Sequence, residues 1–114
     1  MDELFQKLIG ECLSAVTFVK DYYQFQFDGP LVNVMTPVMV TTKHAQARTG
    51  DEPFRNLVCD QIAKVVAATE VRRGDAIDIT FMDGSRLSFS LLESDRVGPE
   101  AIVFFGLDQE WDVL

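Results

Sequence analysis

His44 is the only histidine in the chain, with Lys43 beside it and Arg48 four residues on. Apart from Arg72-Arg73 these form the only local basic cluster. A lone histidine serves as a general base only when a nucleophile and an orienting carboxylate reach it, and no nearby motif supplies either. Basic side chains in a loop before a helix can also capture an anion, but Asp51 and Glu52 stand at that helix start and oppose one. The stretch 41–52 therefore reads as a connecting loop. The alternative is a small ligand-binding module or enzyme whose pocket this loop lines, favoured if Lys43, His44 or Arg48 lies in a preformed pocket beside a carboxylate.

A second group lies at the C-terminus, where Asp108, Glu110 and Asp112 alternate around Trp111, the sole tryptophan. On a strand the three acids share one side and Trp111 takes the other. From residue 92 to 114 six acidic residues face one arginine, a local charge of −5 within a total of −8. One strand spaces the three carboxylates too widely for a compact calcium cage, and no EF-hand pattern is present, so no metal site is expected. The acids read either as a solvated face or as a docking surface for a basic partner that includes Glu100, Asp108, Glu110, Trp111 and Asp112. Exposure of Trp111 separates an interface anchor from a residue that closes the core.

The elements that must position these groups follow from length and pattern. A chain of 114 residues has room for one domain over 1–114, and 47% hydrophobic with 25% charged residues is an ordinary globular balance. Net negative charge repels phosphate backbones and anionic lipid, so neither nucleic acid nor membrane is an expected partner. No export signal opens the sequence, and Cys12 and Cys59 are too few for a disulfide framework or a zinc site. Both cysteines are expected to be buried, and a cytoplasmic setting follows. No cofactor motif is present.

Residues 2–9 read as a short amphipathic helix ending at Gly10. Tyr23, Phe25 and Phe27 alternate with glutamines as a half-buried strand does, with turns at Lys20-Asp21 and Asp28-Gly29-Pro30. Leu31 through Val40 suggest a further strand broken or bulged by Pro37. Asp51 as N-cap and Pro53 open a central helix whose stripe is Phe54, Leu57, Val58, Ile62, Val65 and Val66, with Asp60 and Lys64 paired on the other face. Ile62→Ala is then expected to cost roughly 2–5 kcal/mol and Asp60→Ala far less.

Ile77, Ile79 and Phe81 repeat the Tyr23, Phe25, Phe27 pattern at an offset of 54, and Asp83-Gly84 matches Asp28-Gly29 at 55, with Met82 as the extra residue at a bulge. This suggests an internal β-hairpin duplication joined by the helix. Leu87 to Leu91, Ala101 to Phe105 and Trp111 to Leu114 add strands. The expected fold is α+β, a mainly antiparallel sheet of about seven short strands with the helix over one face.

Three stretches in order carry a resemblance: Asp21-Tyr22-Tyr23 with Phe27-Asp28-Gly29-Pro30; Phe54-Arg55 through Cys59 and Ile62; and Asp83-Gly84 to Ser90-Leu91 with Gly98-Pro99-Glu100-Ala101 and Trp111. Together they resemble a family of small bacterial proteins classed only as a domain of unknown function. The resemblance spans about residues 10–114 and implies a single-domain cytosolic protein, with no catalytic residue, cofactor or substrate to transfer. By analogy of size and charge alone, an immunity-like inhibitor is a relevant type. The expected function is a non-enzymatic protein-interaction domain that binds a basic partner through its acidic C-terminal surface. A structural homodimer, formed by an edge strand or the Pro37 strand, is the third alternative.

Overall fold

The computed structural model describes residues 2–106 and 111–114. Its order is α1 (Asp2–Gln6), β1 (Leu13–Val19), β2 (Tyr22–Phe27), β3 (Leu31–Val34), β4 (Val38–Thr41), β5 (Gln46–Arg48), α2 (Phe54–Cys59), β6 (Val66–Arg72), β7 (Ala76–Phe81), β8 (Arg86–Ser90), a 3-10 turn (Glu93–Asp95), β9 (Ile102–Phe105) and β10 (Trp111–Val113). The strands form two five-stranded sheets, ordered β1-β2-β3-β9-β10 and β5-β4-β8-β7-β6, in which every pairing is antiparallel.

Alternation builds the core. Phe25, Phe27, Val32, Val34, Ile102 and Phe104 of the first sheet are fully buried, as are Ile77, Ile79, Leu87, Phe89, Val38 and Val40 of the second. Facing positions of two sheets interdigitate in this way. The Phe25 and Phe89 rings meet across the interface with centroids 5.0 Å apart. Helix α1 adds Phe5, 5.1 Å from the Phe104 ring, and α2 adds Phe54 against Tyr23.

The two halves of the chain follow the same course. Each begins with a short helix, lays down three antiparallel strands in one sheet, and then sends a hairpin into the other sheet. Hairpin β4–β5 joins β8, and hairpin β9–β10 joins β3. The first crossover passes through Thr36 and Pro37, where a proline cannot continue a ladder. Buried Thr36 donates its hydroxyl to the Ser90 carbonyl at 2.6 Å, and the Pro37 carbonyl accepts from the Ser90 N–H.

Where the halves meet, their backbones exchange reciprocal hydrogen bonds around the Cys12–Val65 bridge. Leu13 N–H donates to the Lys64 carbonyl and Val66 N–H to the Glu11 carbonyl, while Gly10 N–H donates to Val66 and Ala63 N–H to Leu13. Gly10 and Ala63 occupy matching places and share a left-handed conformation, with φ of 89° and 80°. Alanine resists that region because its Cβ crowds the following carbonyl.

Several expectations are corrected. The described strands number ten, not about seven, and the sheets pack on each other instead of under a central helix. Helix α2 stops at Cys59 because Gln61 and Ile62 donate to Val58 and Cys59 in tight i−3 bonds, and the Ala63 N–H leaves for Leu13. Ile62 and Val65 are thus 38% exposed, Val66 belongs to β6, and Lys64 pairs with Asp83, not Asp60. Asp51 is no side-chain cap for α2; its carboxylate accepts the Arg48 N–H at 2.8 Å. The loop 41–52 contains β5, because Met39, Val40 and Thr41 offer an open edge to Arg48, Ala47 and Gln46. Pro37 lies between β3 and β4, which join different sheets, so the stretch from Leu31 to Val40 is two strands and not one. Met82 sits in the β7–β8 turn, and the bulges fall at Leu13/Ala15 and Val66/Ala68. Cys12 is half-buried and Cys59 exposed.

Two measurements check this architecture. Phe89→Ala should lower unfolding free energy by about 3–5 kcal/mol in urea denaturation, whereas Ile62→Ala should cost under about 1 kcal/mol. Ala63→Gly should raise stability by about 0.5–1 kcal/mol by removing left-handed strain. Gly10→Ala should lower it, although no atom crowds the added Cβ, so that only the backbone conformation objects.

Candidate functional site

The side chains that do not point into the core form two outer faces built on the same strand pattern. On the first sheet one cross-strand row is Thr17, Gln24, Asn33, Val103 and Val113, and the next is Ala15, Gln26, Leu31, Phe105 and Trp111. Neither row holds a charge. The corresponding rows of the second sheet are Glu70, Asp78, Ser88, Met39 and Arg48, then Ala68, Thr80, Arg86, Thr41 and Gln46. One scaffold thus carries an uncharged face and an ionic one.

On the uncharged face Trp111 is 66% exposed on β10, at the open edge of its sheet, and its cross-strand neighbour Phe105 is 41% exposed. Trp111 does not close the core. Asp112, next on β10, is half-buried, and Glu100 is exposed just before β9. Asp108 and Glu110 lie outside the described residues.

The ionic face is organised around Asp78, whose side chain is 8% exposed. Arg72 grips it with Nε and Nη2, each 3.1 Å from a carboxylate oxygen, and the Ser88 hydroxyl donates to it at 2.6 Å. The third edge of the Arg72 guanidinium donates to Asp75. Hydrogen bonding and charge from Asp78 raise the Arg72 pKa further above its ordinary value. Beside this clamp Asp95 accepts from Ser90 at 2.6 Å and from Arg48 Nη2 at 3.3 Å. A cavity of about 350 Å³ opens over these groups.

Of the three basic loop residues, only Arg48 reaches this cavity. Lys43 and His44 are exposed at the tip of the β4–β5 hairpin, where the Thr42 hydroxyl accepts the His44 and Ala45 N–H groups and shapes the turn. Arg72, Asp78, Arg86, Ser88 and Asp95 were not singled out from the sequence. For all but Asp95, which lies in the 3-10 turn, the signal is the run of polar residues at alternate positions on β6, β7 and β8, which strand alternation ordinarily assigns to solvent. Among the described residues, no three His, Cys, Asp or Glu side chains group to hold a metal ion.

A larger cavity of about 610 Å³ lies elsewhere, between the β1–β2 turn and α2. Phe18 and Tyr23 line it, and the Arg55 guanidinium stands 5.9 Å over the Phe18 ring. Its charged residues, Lys20, Asp51, Glu52 and Arg55, are all exposed and of both signs, so no buried polar group fixes a ligand there. The geometry of the smaller cavity is the more specific of the two.

No protein-family model, curated protein or solved structure matches the chain. No helix among the described residues is long and apolar enough to cross a membrane.

A further polar group, away from both faces, serves the fold. Gln61 is fully buried; its Nε2 donates to the Leu57 carbonyl, and its Oε1 accepts from Lys64 and from Ser85. Lys64 Nζ also lies 2.7 Å from Asp83, whose carboxylate accepts the Ser85 N–H. Lys64 and Ser85 together hold the Asp83 pKa well below the ordinary carboxylate range. With a folded pKa below the unfolded one, this pair stabilises the fold above about pH 4 and loses that contribution as pH falls further. Urea midpoints of the wild type and Asp83→Asn should therefore differ by a constant amount above about pH 5 and draw together only as pH falls well below about 3.

Proposed function

We propose that this chain is a non-enzymatic protein-interaction domain whose docking surface is the β10 edge and the uncharged face beside it, with Trp111 and Phe105 as the anchor. The observation that carries this reading is the exposure of Trp111 on the open edge strand together with its cross-strand neighbour Phe105 on β9. Exposed aromatic clusters mark interfaces more often than they serve a lone monomer. An open edge adds unpaired backbone groups that an incoming strand satisfies.

The partner is a basic protein. A net charge of −8 with −5 of it between residues 92 and 114 steers a cationic partner toward the segment that holds Trp111. Apolar anchor and acidic surroundings divide the work: the aromatics set dissociation, and the charges at Glu100, Asp108, Glu110 and Asp112 set encounter. An inhibitor of the immunity type, covering a basic partner's active surface, is the role this arrangement suits best, in a cytoplasmic setting.

Trp111 provides its own probe as the sole tryptophan. A basic protein retained from lysate at low salt should shift its emission to the blue when purified and added back. Retention should be lost in Trp111→Ser and weakened by charge reversal at Asp108, Glu110 and Asp112. His44→Ala should leave it unchanged. Equal retention by Trp111→Ser, or a homodimer in light scattering that already buries Trp111, would overturn the reading.

A further inference from the structure

Three arginines line the cavity over the second sheet, and two of them, Arg48 and Arg72, are engaged by aspartates. Arg72 is held by Asp78 and Asp75, and Asp78 also accepts from Ser88. Arg48 and Ser90 share Asp95. Arg86 lines the same cavity, is exposed, and has no hydrogen-bond or ion-pair partner among the described residues.

The fold itself does not demand that arginine. Its counterpart on the other sheet, at the same place in the same cross-strand row, is Leu31. A sheet that accepts leucine at one such position has no structural need for a guanidinium at the other. The residues around Arg86 do have a shared property: their hydrogen bonds hold them still. Asp78 and Asp95 take the hydroxyl hydrogens of Ser88 and Ser90, which fixes those side chains as a rigid floor. Met39, Pro37 and Leu92 supply apolar wall, with Leu92 44% exposed.

We propose that this cavity is a binding site for a small monocarboxylate with an apolar body. The carboxylate sits on the Arg86 fork, and the body rests against Met39 and Leu92. A guanidinium and a carboxylate match in charge and planar geometry. Arg48, Arg72 and Arg86 are already balanced in number by Asp75, Asp78 and Asp95, so a phosphate dianion would meet more repulsion here than a monocarboxylate held on the Arg86 fork. The volume, about 350 Å³, fits the lower end of the range for small-molecule sites. This site is independent of the β10 surface, which lies on the other sheet.

The test is a titration of the isotope-labelled full chain with sodium benzoate, its neutral relative benzamide, and inorganic phosphate, followed by amide resonances. Benzoate should give saturable shifts at Met39, Arg86, Ser88 and Leu92 with half-saturation in the millimolar range or tighter. Benzamide should bind at least about tenfold more weakly, and Arg86→Gln should weaken benzoate by about tenfold or more. Because Arg86 holds no partner among the described residues, the variant should keep the wild-type spectrum elsewhere, and Trp111→Ser should bind benzoate as the wild type does. The proposal fails if benzoate does not saturate by about 50 mM, if Arg86→Gln binds it equally well, or if phosphate binds as tightly as benzoate.

Discussion

The short antiparallel seam between residues 10–13 and 63–66 is the constraint on which the rest of the structure depends. Four backbone hydrogen bonds cross it in two reciprocal pairs, and each pair ties the entry to one sheet against the entry to the other. Because β1 and β6 both start from this seam, the two meanders leave it as counterparts, and their inner faces are set to meet. The exchanged hairpins then complete each sheet with strands from the opposite half. Neither sheet is made by one half alone, so the core of Phe25, Phe27, Ile79 and Phe89 assembles only when both halves are in place. That is a cooperative arrangement with many long-range pairings, and loop closure must precede most of the contacts that reward it.

The parts of this plan that are local were legible in the sequence. Alternation from Tyr23 to Phe27 and from Ile77 to Phe81, and the Asp-Gly turns that follow, correspond to β2, β7 and their hairpins. The offset of 54 between those segments is close to that of the neighbouring matched strands, 53 for β1 and β6 and 55 for β3 and β8. Two features escaped for physical reasons. Ile62, Val65 and Val66 continue a helical spacing, but spacing carries no information about Ala63, whose left-handed turn is imposed by a hydrogen bond to Leu13 in the distant β1 strand. The exchange of hairpins is equally invisible, since β4 and β9 have the same half-buried composition whichever sheet receives them.

The candidate site was less legible than the fold. Arg48 was singled out together with Lys43 and His44, yet the hairpin separates them, sending Arg48 to Asp95 and leaving the other two at the tip. Asp78 alternates with Ile77 and Ile79 and so reads as solvent-facing. It is buried because Arg72, six residues back across the β6–β7 hairpin, folds over it. Ser88 completes the shell from β8. A carboxylate removed from water in this way is costly unless fully paired, and here it is fully paired. Trp111 illustrates the reverse: its pattern suits a core-closing residue, and only the position of β10 at the open edge leaves it exposed.

The internal equivalence of the two sheets offers a comparison within one molecule that ordinarily requires related sequences. Residues at matching positions occupy the same place in the same strand order and register, so backbone topology does not explain the differences between them. The inner faces differ little, both being rows of aliphatic and phenyl groups. The outer faces differ in kind: Leu31 stands where Arg86 does, Asn33 where Ser88 does, and Trp111 where Gln46 does. Packing demands neither the exposed tryptophan nor the unpartnered arginine, because each counterpart shows that the site tolerates something less costly. The two faces therefore differ in chemistry while sharing one strand plan, the first uncharged and open at the β10 edge, the second ionic and concave.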